Sequence, residues 1–292
     1  MQIDQALEKF LNQLDADGRS IHTRAQYQRH IRLLARWVAS DGRSCEVEDL
    51  DHEDLALFLT SSQARTRPDA APKTATTMNS LRTSLRCFFG YAHAAGWIRE
   101  NPARLIRRAQ CGTPPPRALS EEEQRRLMSV LAAGEGRAAR RDHALFHMML
   151  ATGVRLGSAL AAEVGDVDLE RSELRLRSTK GDRPEVVYLG RAIAEHLSRY
   201  IAEVGEGLLF PGQNGWQLTP RQAHRRFTMS LDRAGITSPV SPHSLRHAFA
   251  TGLYRRTGDV LLVKEALRHR SVESTLVYAR VDEGRLRAAL GG

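Results

Sequence analysis

Cysteine is scarce in this sequence, with Cys45, Cys87 and Cys111 the only three among 292 residues. An odd, scattered trio without a CxxC spacing argues against a disulfide framework and against a zinc module. The chain also lacks any run of about 18 apolar residues, the length that a membrane-spanning helix needs. Its first residues, MQIDQALEKF, are polar and amphipathic and lack the apolar core of a signal peptide. We therefore expect a cytoplasmic protein with no membrane partner.

Lysine is nearly as scarce as cysteine. Lys9, Lys73, Lys180 and Lys264 are the only four, so almost all of the positive charge comes from arginine. There are 43 basic Lys and Arg residues against 34 acidic ones, a formal net charge of +9. Such a balance favours a polyanionic partner, most commonly a nucleic acid. An arginine-rich proteome would produce the same composition, so charge alone does not establish the partner.

Two common catalytic signatures are missing as well. The sequence contains no GxxxxGK[ST] phosphate-binding loop and no cluster of acidic residues suited to divalent metal ions. Hydrophobic residues make up 41% and charged residues 26%, which is typical of a globular protein. We therefore expect a folded protein that uses no nucleotide, no metal and no other cofactor.

The first hundred residues carry the apolar spacing of amphipathic helices. Apolar side chains recur at helical intervals in segments that begin near Ile3, Tyr27, Leu55 and Met78. The stretch SSQARTRPDAAPK is polar and contains proline, so we expect a loop there. We therefore predict an all-α N-terminal domain over residues 1–109. Its helices expose arginines that suit phosphate contacts or simple solvation: Arg24, Arg29, Arg32, Arg36, Arg82 and Arg86.

A proline run separates this half from the next. Three consecutive prolines within residues 110–118 cannot continue a helix and favour an extended segment, so we predict an interdomain linker there. Ser120, with Glu123 three residues later, forms a capping-box motif, which predicts that a second domain begins at residue 119. Helical patterns follow at residues 121–133, 140–151, 191–204 and 219–234, and again from residues 242, 259 and 271.

Between these helices the apolar period changes to two. Leu174 and Leu176, then Val186, Val187 and Leu189, flank a KGD turn, and this pattern indicates a β-hairpin. The predicted fold class is therefore mainly α. It combines an all-α N-terminal domain with a mainly α second domain, residues 119–292, that contains a small β-sheet.

Cationic side chains are concentrated in SPHSLRH, residues 241–247. Ser241 and Pro242 suit the N-cap and the first position of a helix, so His243 would lie beside free amides at the positive end of the dipole. Arg246 shares its face, and the two could hold a phosphate. A metal site on His243 and His247 lacks the glutamate and third ligand of zinc proteases, and Arg246 would repel the ion. We expect His247 to be a structural histidine that hydrogen-bonds the backbone.

Four further residues stand out by chemistry and order. Arg155 follows a glycine at the end of an apolar segment, and Lys180 stands at the predicted hairpin turn. His269 precedes Tyr278 by nine residues. Taken singly, each of the four has a purely structural interpretation. The arginine would be a charge at a helix end, the lysine a solvated turn residue, the histidine a surface residue and the tyrosine part of the core. Their functional interpretation depends on the whole set.

In this order and spacing the residues resemble the tyrosine recombinase, or phage integrase, family, and particularly its two-domain Xer-like members. Neighbouring motifs match too: TGVR, DVDL at 166–169, HSLRHAFAT at 243–251 and an L-x-H before the tyrosine. TRAQYQRHIRLLARW and GWIRENPA resemble the family's helical DNA-clamping domain, so the likeness covers nearly the whole chain. The resemblance implies that the second domain is catalytic, with a set formed by Arg155, Lys180, His243, Arg246, His269 and Tyr278.

The resemblance also implies the chemistry. Tyr278 would attack DNA and form a 3′-phosphotyrosyl intermediate, and Lys180 would protonate the leaving 5′-oxygen. The two arginines of the set would hold the non-bridging oxygens, the role that metal ions have in many nucleases, and the two histidines would add hydrogen bonds. The implied partners are double-stranded DNA with a short inverted repeat, further protomers in a tetramer on two sites joined through a Holliday junction, and a related recombinase.

Two positions depart from the family pattern. Ser158 stands where the family usually has an acidic residue, and Arg268 where a glycine commonly precedes the histidine. The serine favours one alternative, a non-catalytic or weakly active DNA-binding relative. A second alternative is a type IB topoisomerase, which uses the same catalytic set, although the helical N-terminal half matches the recombinases better.

Overall fold

The computed structural model describes residues 1–111, 117–176, 185–269 and 271–279. The chain forms two compact units, Met1–Thr113 and Pro114–Gly292. The three linker prolines and Lys180 lie outside the described residues. No helix in the described ranges combines the length and the apolar character that a membrane crossing requires.

The first unit is all-helical, as the apolar spacing predicts. Ser20 and Thr74 begin its two longest helices, and their side-chain oxygens accept hydrogen bonds from the N–H groups of Thr23 and Thr77, both at 3.2 Å. The helices are α1 (Ile3–Ala16), α2 (Ile21–Ser40), α3 (His52–Thr60), α4 (Ser62–Arg65) and α5 (Ala75–Ala94).

Aromatic rings fill the core of the first unit. The ring of Phe10 in α1 lies 5.5 Å from that of Tyr27 in α2 and 5.6 Å from that of Phe88 in α5. Ile31 and Leu34 of α2 are fully buried. Burying one large apolar side chain stabilises a fold by about 1.5–3 kcal/mol. This apolar interior explains why helical periodicity alone predicts the unit.

One expectation for the first unit is wrong. Residues 61–73 are not simply a loop, because they contain the short helix α4. The Ser61 hydroxyl oxygen accepts a hydrogen bond from the N–H of Ala64 at 3.2 Å, and Ala64 is fully buried. A capping serine and one buried alanine are sufficient for this single turn, and a polar composition does not reveal them.

The second unit is mainly α with a small sheet, which confirms the predicted fold class. The capping box that begins α6 is confirmed too. The Ser120 hydroxyl accepts from the Glu123 N–H at 3.2 Å, and the Glu123 carboxylate accepts from the Ser120 N–H at 2.8 Å. The helices are α6 (Glu121–Ala132), α7 (Arg137–Thr152), α8 (Leu156–Leu160), α9 (Arg191–Val204), α10 (Pro220–Arg233), α11 (Pro242–Thr257), α12 (Val260–Leu267) and α13 (Glu273–Ala279).

The sheet is antiparallel, with strands in the order β1-β2-β3. Its strands are β1 (Val167–Asp168), β2 (Glu173–Leu176) and β3 (Glu185–Tyr188). Leu174 pairs with Val187, and both side chains are buried, so the predicted antiparallel pairing of the two strands is confirmed. The predicted KGD turn lies outside the described residues. Strand β1 was not predicted, because two residues are too few to show an alternating pattern.

Helix α7 lies at the centre of the second unit, since α6, α9, α10 and α11 all pack against it. It ends at Gly153, whose φ of +67° is the left-handed conformation that favours glycine. A side chain at this position would overlap the ring of Phe249 in α11. The glycine therefore allows the end of α7 to approach α11, the helix that carries SPHSLRH.

Candidate active site

Helix α11 begins at Pro242, as the sequence predicts. The backbone N–H of Ser241 donates to the Ser244 hydroxyl at 3.2 Å, which fixes the entry of the chain into the helix. His243 then lies in the first turn with its side chain exposed to solvent, and Arg246 follows on the same face. The first turn thus presents a ring nitrogen and a guanidinium group together.

Among the described members of the predicted catalytic set, Arg246 is the most deeply buried, with only 3% of its surface exposed. Its guanidinium group donates to the main-chain oxygens of Gly153 and Leu267, both at 2.5 Å. Burial, followed by the charge of nearby Arg155, lowers its pKa to about 10, so the group remains charged at neutral pH. Two carbonyl dipoles orient this cation without neutralising its charge.

Arg155 stands next to this buried cation. It is the N-cap residue of α8, two residues beyond the glycine that ends α7, and its side chain is exposed. Arg155 and Arg246 line one small cleft together with Ser158, Leu176 and Glu185. Two guanidinium groups converge there, one fixed by burial and one reachable from solvent.

Three histidines surround the arginine pair. The rings of His243 and His247 lie 4.7 Å apart at an angle of 86°. His269 has its Nδ1 2.8 Å from the Thr275 hydroxyl. Burial lowers the pKa of all three rings, to about 4 for His247 and His269, and Arg246 adds to each decrease. The rings are therefore neutral at pH 7, so each has one N–H donor and one acceptor nitrogen.

The hydroxyl of Tyr278 lies 2.6 Å from Nδ1 of His247. Tyr278, on α13, is only 4% exposed and packs against Ala250, Val263 and Leu267. Burial raises the pKa of this phenol, and the positive charge of Arg246 opposes that increase. The structure therefore places the predicted nucleophile beside a neutral imidazole and near a buried cation.

Our prediction of the hydrogen-bond partner of His247 is wrong. We expected this ring to hydrogen-bond the backbone, but its partner is the Tyr278 hydroxyl, 31 residues further along the chain. The spacing of four residues from His243 was the available signal, because it places both rings on one face of α11. The spacing could not show that α13 packs over this face.

Five of the six predicted residues thus lie in one region. Lys180, the sixth, falls outside the described residues. Leu176 and Glu185, which bound the undescribed part of the hairpin, both line the cleft of Arg155 and Arg246. The described strands of the hairpin therefore end at this cleft.

Sequence reasoning also missed Glu185. Its carboxylate lies 3.8 Å from the guanidinium group of Arg268 and counteracts the fall in the pKa of Arg246. Arg268 ends α12 with a φ of +52°, a left-handed conformation that glycine adopts more readily. Although residue 158 is a serine, strand β3 supplies a carboxylate to the same cleft.

The assembled site suits a phosphodiester. Two converging guanidinium groups, one of them fixed by burial, match the geometry of non-bridging phosphate oxygens, and neutral imidazoles can donate or accept a proton. A tyrosine hydroxyl beside them can act as a nucleophile. The arrangement can therefore bind a phosphate and attack it.

Family comparisons agree with this geometry. The phage integrase family model matches residues 117–285, and the model of the phage integrase N-terminal SAM-like domain matches residues 7–96. Tyrosine recombinase XerD of Ralstonia nicotianae is 30% identical, over 97% of this chain and 92% of the relative. Tyrosine recombinase XerC of Chromobacterium violaceum is 28% identical, over 96% of this chain and 91% of the relative.

Solved structures show the same fold. XerH recombinase bound to palindromic difH in a post-cleavage complex superposes with a TM-score of 0.76 at 23% identity, covering 97% of this chain and 83% of that one. A lambda integrase dimer bound to a COC′ core site gives 0.73 at 18% identity, covering 93% and 96%. The chain belongs to the phage integrase family and is a tyrosine recombinase.

Proposed function

We propose that this protein is a site-specific recombinase that cuts and rejoins DNA through a 3′-phosphotyrosyl intermediate at Tyr278. The observation that carries the proposal is the position of the Tyr278 hydroxyl, 2.6 Å from His247 Nδ1 and close to the Arg246 charge. The phenol oxygen attacks the scissile phosphorus, and the bond from phosphorus to the 5′-oxygen breaks. The covalent ester conserves the energy of that bond for rejoining.

The other members of the set have separate roles in this step. Arg155 and Arg246 hold the non-bridging oxygens, where negative charge accumulates in the transition state. The phenolic proton passes to Nδ1 of neutral His247, 2.6 Å from the Tyr278 hydroxyl. His243 and His269 donate hydrogen bonds to the phosphate and help to carry this proton onward. Lys180 gives its proton to the departing 5′-oxygen, and the hairpin whose described ends line the cleft supports this assignment.

The first unit binds DNA in this proposal. Arg29, Arg32 and Arg36 are exposed at spacings of three and four residues, so they form one basic stripe along α2. A stripe of this kind neutralises consecutive phosphates and releases their counterions. We assign residues 1–109 to a DNA-clamping domain, 119–292 to the catalytic domain and 110–118 to the linker between them.

The DNA partner in the proposal is a short inverted repeat, and four protomers act on two sites through a Holliday junction. The similar structures support this assignment, since one holds palindromic DNA and another is a dimer on a core site. The XerC and XerD relatives support a second, related recombinase as a partner. The three free cysteines suit work in the reducing cytoplasm. Integration, excision and dimer resolution all use this chemistry.

A suicide substrate tests the proposal. The protein would first select its site from random duplexes, and a nicked copy of that site would then trap the covalent complex, in EDTA and without nucleotide. We expect wild-type protein to form a band that migrates as a protein–DNA adduct in denaturing gels. Tyr278→Phe should form at least about a thousandfold less, because the nucleophile is gone, while site binding persists.

Tyr188→Phe is the matched control, because Tyr188 lies in the same unit and is 75% exposed. This variant should form the adduct at the wild-type level. An adduct on Tyr278→Phe would show that another tyrosine attacks. A wild-type protein that binds its site without forming any adduct would identify a non-catalytic relative, and a requirement for metal would contradict the mechanism.

A further inference from the structure

Three histidines converge on a part of the second unit that the proposed mechanism does not use. His143 and His147 lie one turn apart on α7, and His196 lies on the adjacent helix α9. One ring nitrogen of each lies within 4.8 Å of those of the other two. The ring centroids of His143 and His196 are 4.2 Å apart, and Nδ1 of His147 is 2.8 Å from Nδ1 of His196.

The cluster is separate from the catalytic set. The charged side chain that acts on His143 and His196 is Arg199, whereas Arg155 and Arg246 act on His243 and His269. All three rings of the cluster are half-buried, so packing fixes them while solvent still reaches them. A ligand could therefore enter without unfolding the unit.

We propose that His143, His147 and His196 bind a divalent transition-metal ion that bridges α7 and α9, with zinc the best-suited probe. Imidazole is a preferred ligand of zinc, copper and nickel, and a site with three histidines leaves a fourth tetrahedral position for water. Arg199 adds a repulsive charge, so the site binds less tightly than an all-histidine site without a nearby cation.

The metal-free arrangement explains how an ion enters. Two Nδ1 atoms at 2.8 Å must share one proton, with one ring donating and the other accepting. Nitrogen ligands of tetrahedral zinc lie roughly 3.3 Å apart, given zinc–nitrogen distances of about 2.0–2.1 Å. The ion therefore takes the place of the shared proton, which moves through solvent to Nε2 of the donor ring, and the two Nδ1 atoms move apart by roughly half an ångström. Burial lowers the pKa of all three rings, so protons compete weakly at neutral pH.

The ion would link α9 to α7, the helix whose C-terminal end borders the candidate active site. Helix α7 ends at Gly153, whose carbonyl accepts a hydrogen bond from Arg246. A metal link to α9 would restrain α7 two turns before that end. The proposed role is thus stabilisation of the catalytic unit and not a step in DNA cleavage, so chelation leaves adduct formation intact.

Zinc titration of the full chain tests the site. We expect calorimetry to give one equivalent of bound zinc and a melting temperature that rises with zinc concentration, because the ion binds the folded state. His196→Gln should weaken binding by roughly tenfold or more, since even an outer-sphere partner of a metal ligand contributes that much. Cobalt bound in place of zinc should give the visible absorption of a tetrahedral site.

His224→Ala is the matched control, since His224 is exposed on α10 of the same unit. It should keep wild-type zinc affinity. His143→Gln, on the other helix, repeats the test if His196→Gln proves unstable in EDTA. Zinc binding that survives both glutamine variants would place the ion elsewhere and overturn the proposal, as would a wild-type protein that binds no zinc.

Discussion

The two units bury different kinds of polar side chain. The buried polar residues of the first unit are uncharged at neutral pH, and include Asn79 and Ser84. The second unit buries the charged residues Arg141, Asp142 and Arg246. A neutral buried group needs only hydrogen bonds, whereas a buried charge also loses its hydration. The comparison therefore indicates that the second unit, which contains the candidate active site, is the one destabilised by buried charge.

Within the second unit the buried charges are of two kinds. Asp142 accepts from Arg141 at 2.7 and 3.0 Å and from Arg226 at 2.5 Å, so these charges compensate one another. Arg246 instead donates to two main-chain carbonyls. A buried cation held by dipoles keeps its charge available for an incoming anion. The first arrangement maintains the fold, and the second prepares a phosphate site.

The largest effect that we expect is a loss of cleavage activity on substitution of Arg246, the buried cation held by carbonyl dipoles. We expect Arg246→Lys to reduce adduct formation on the nicked site by roughly 100- to 1000-fold, the usual loss when one charge-stabilising donor is removed. An ammonium group keeps the charge but cannot reach both carbonyls and the phosphate with a planar fork. Single-turnover cleavage rates measure the effect. A lysine variant with wild-type rates would show that charge alone, without guanidinium geometry, is sufficient.

The next effect concerns stability. Asp142→Asn should lower the free energy of unfolding by about 3–5 kcal/mol, because two arginines then lose their shared carboxylate in a buried site. Urea denaturation measures the loss. Ser84→Ala in the first unit is the control: it removes a 2.7 Å hydrogen bond to His30, and should lower the free energy by only about 1 kcal/mol. Equal losses of unfolding free energy in the two variants would contradict the proposed difference between the units.

The smallest effect is a pH dependence of stability. The pKa is lowered by burial to about 4 for His196, His247 and His269 in the second unit, and for His30 in the first. In the unfolded chain a histidine has its ordinary pKa of 6.5 and gains a proton below that pH, while these folded rings stay neutral. The free energy of unfolding is therefore unaffected above pH 6.5 and falls as the pH decreases from there to about 4.

Urea midpoints across that range measure the fall, which solvent screening of the half-buried rings keeps modest. His30→Gln distinguishes the two units in this experiment. Most of the pH dependence should persist in this variant, since three of the four histidines lie in the second unit. A profile that becomes flat would instead assign the effect to the first unit.

Much of the fold follows from local sequence signals. The interval predicted for α9, residues 191–204, agrees with the observed Arg191–Val204, and the hairpin places Leu174 opposite Val187. Periodicity predicts these elements because one face of each must be buried. It missed α4, α8 and β1, which are too short to repeat a pattern.

The sequence by itself determined the order of the catalytic residues and the helix that presents His243 and Arg246. Only the tertiary structure decided that His247 contacts Tyr278, that Glu185 approaches Arg268, and that a histidine of α9 joins two of α7. Each of these contacts joins separate elements. Spacing along one helix specifies which side chains share a face, but the neighbour of that face depends on how the whole core packs.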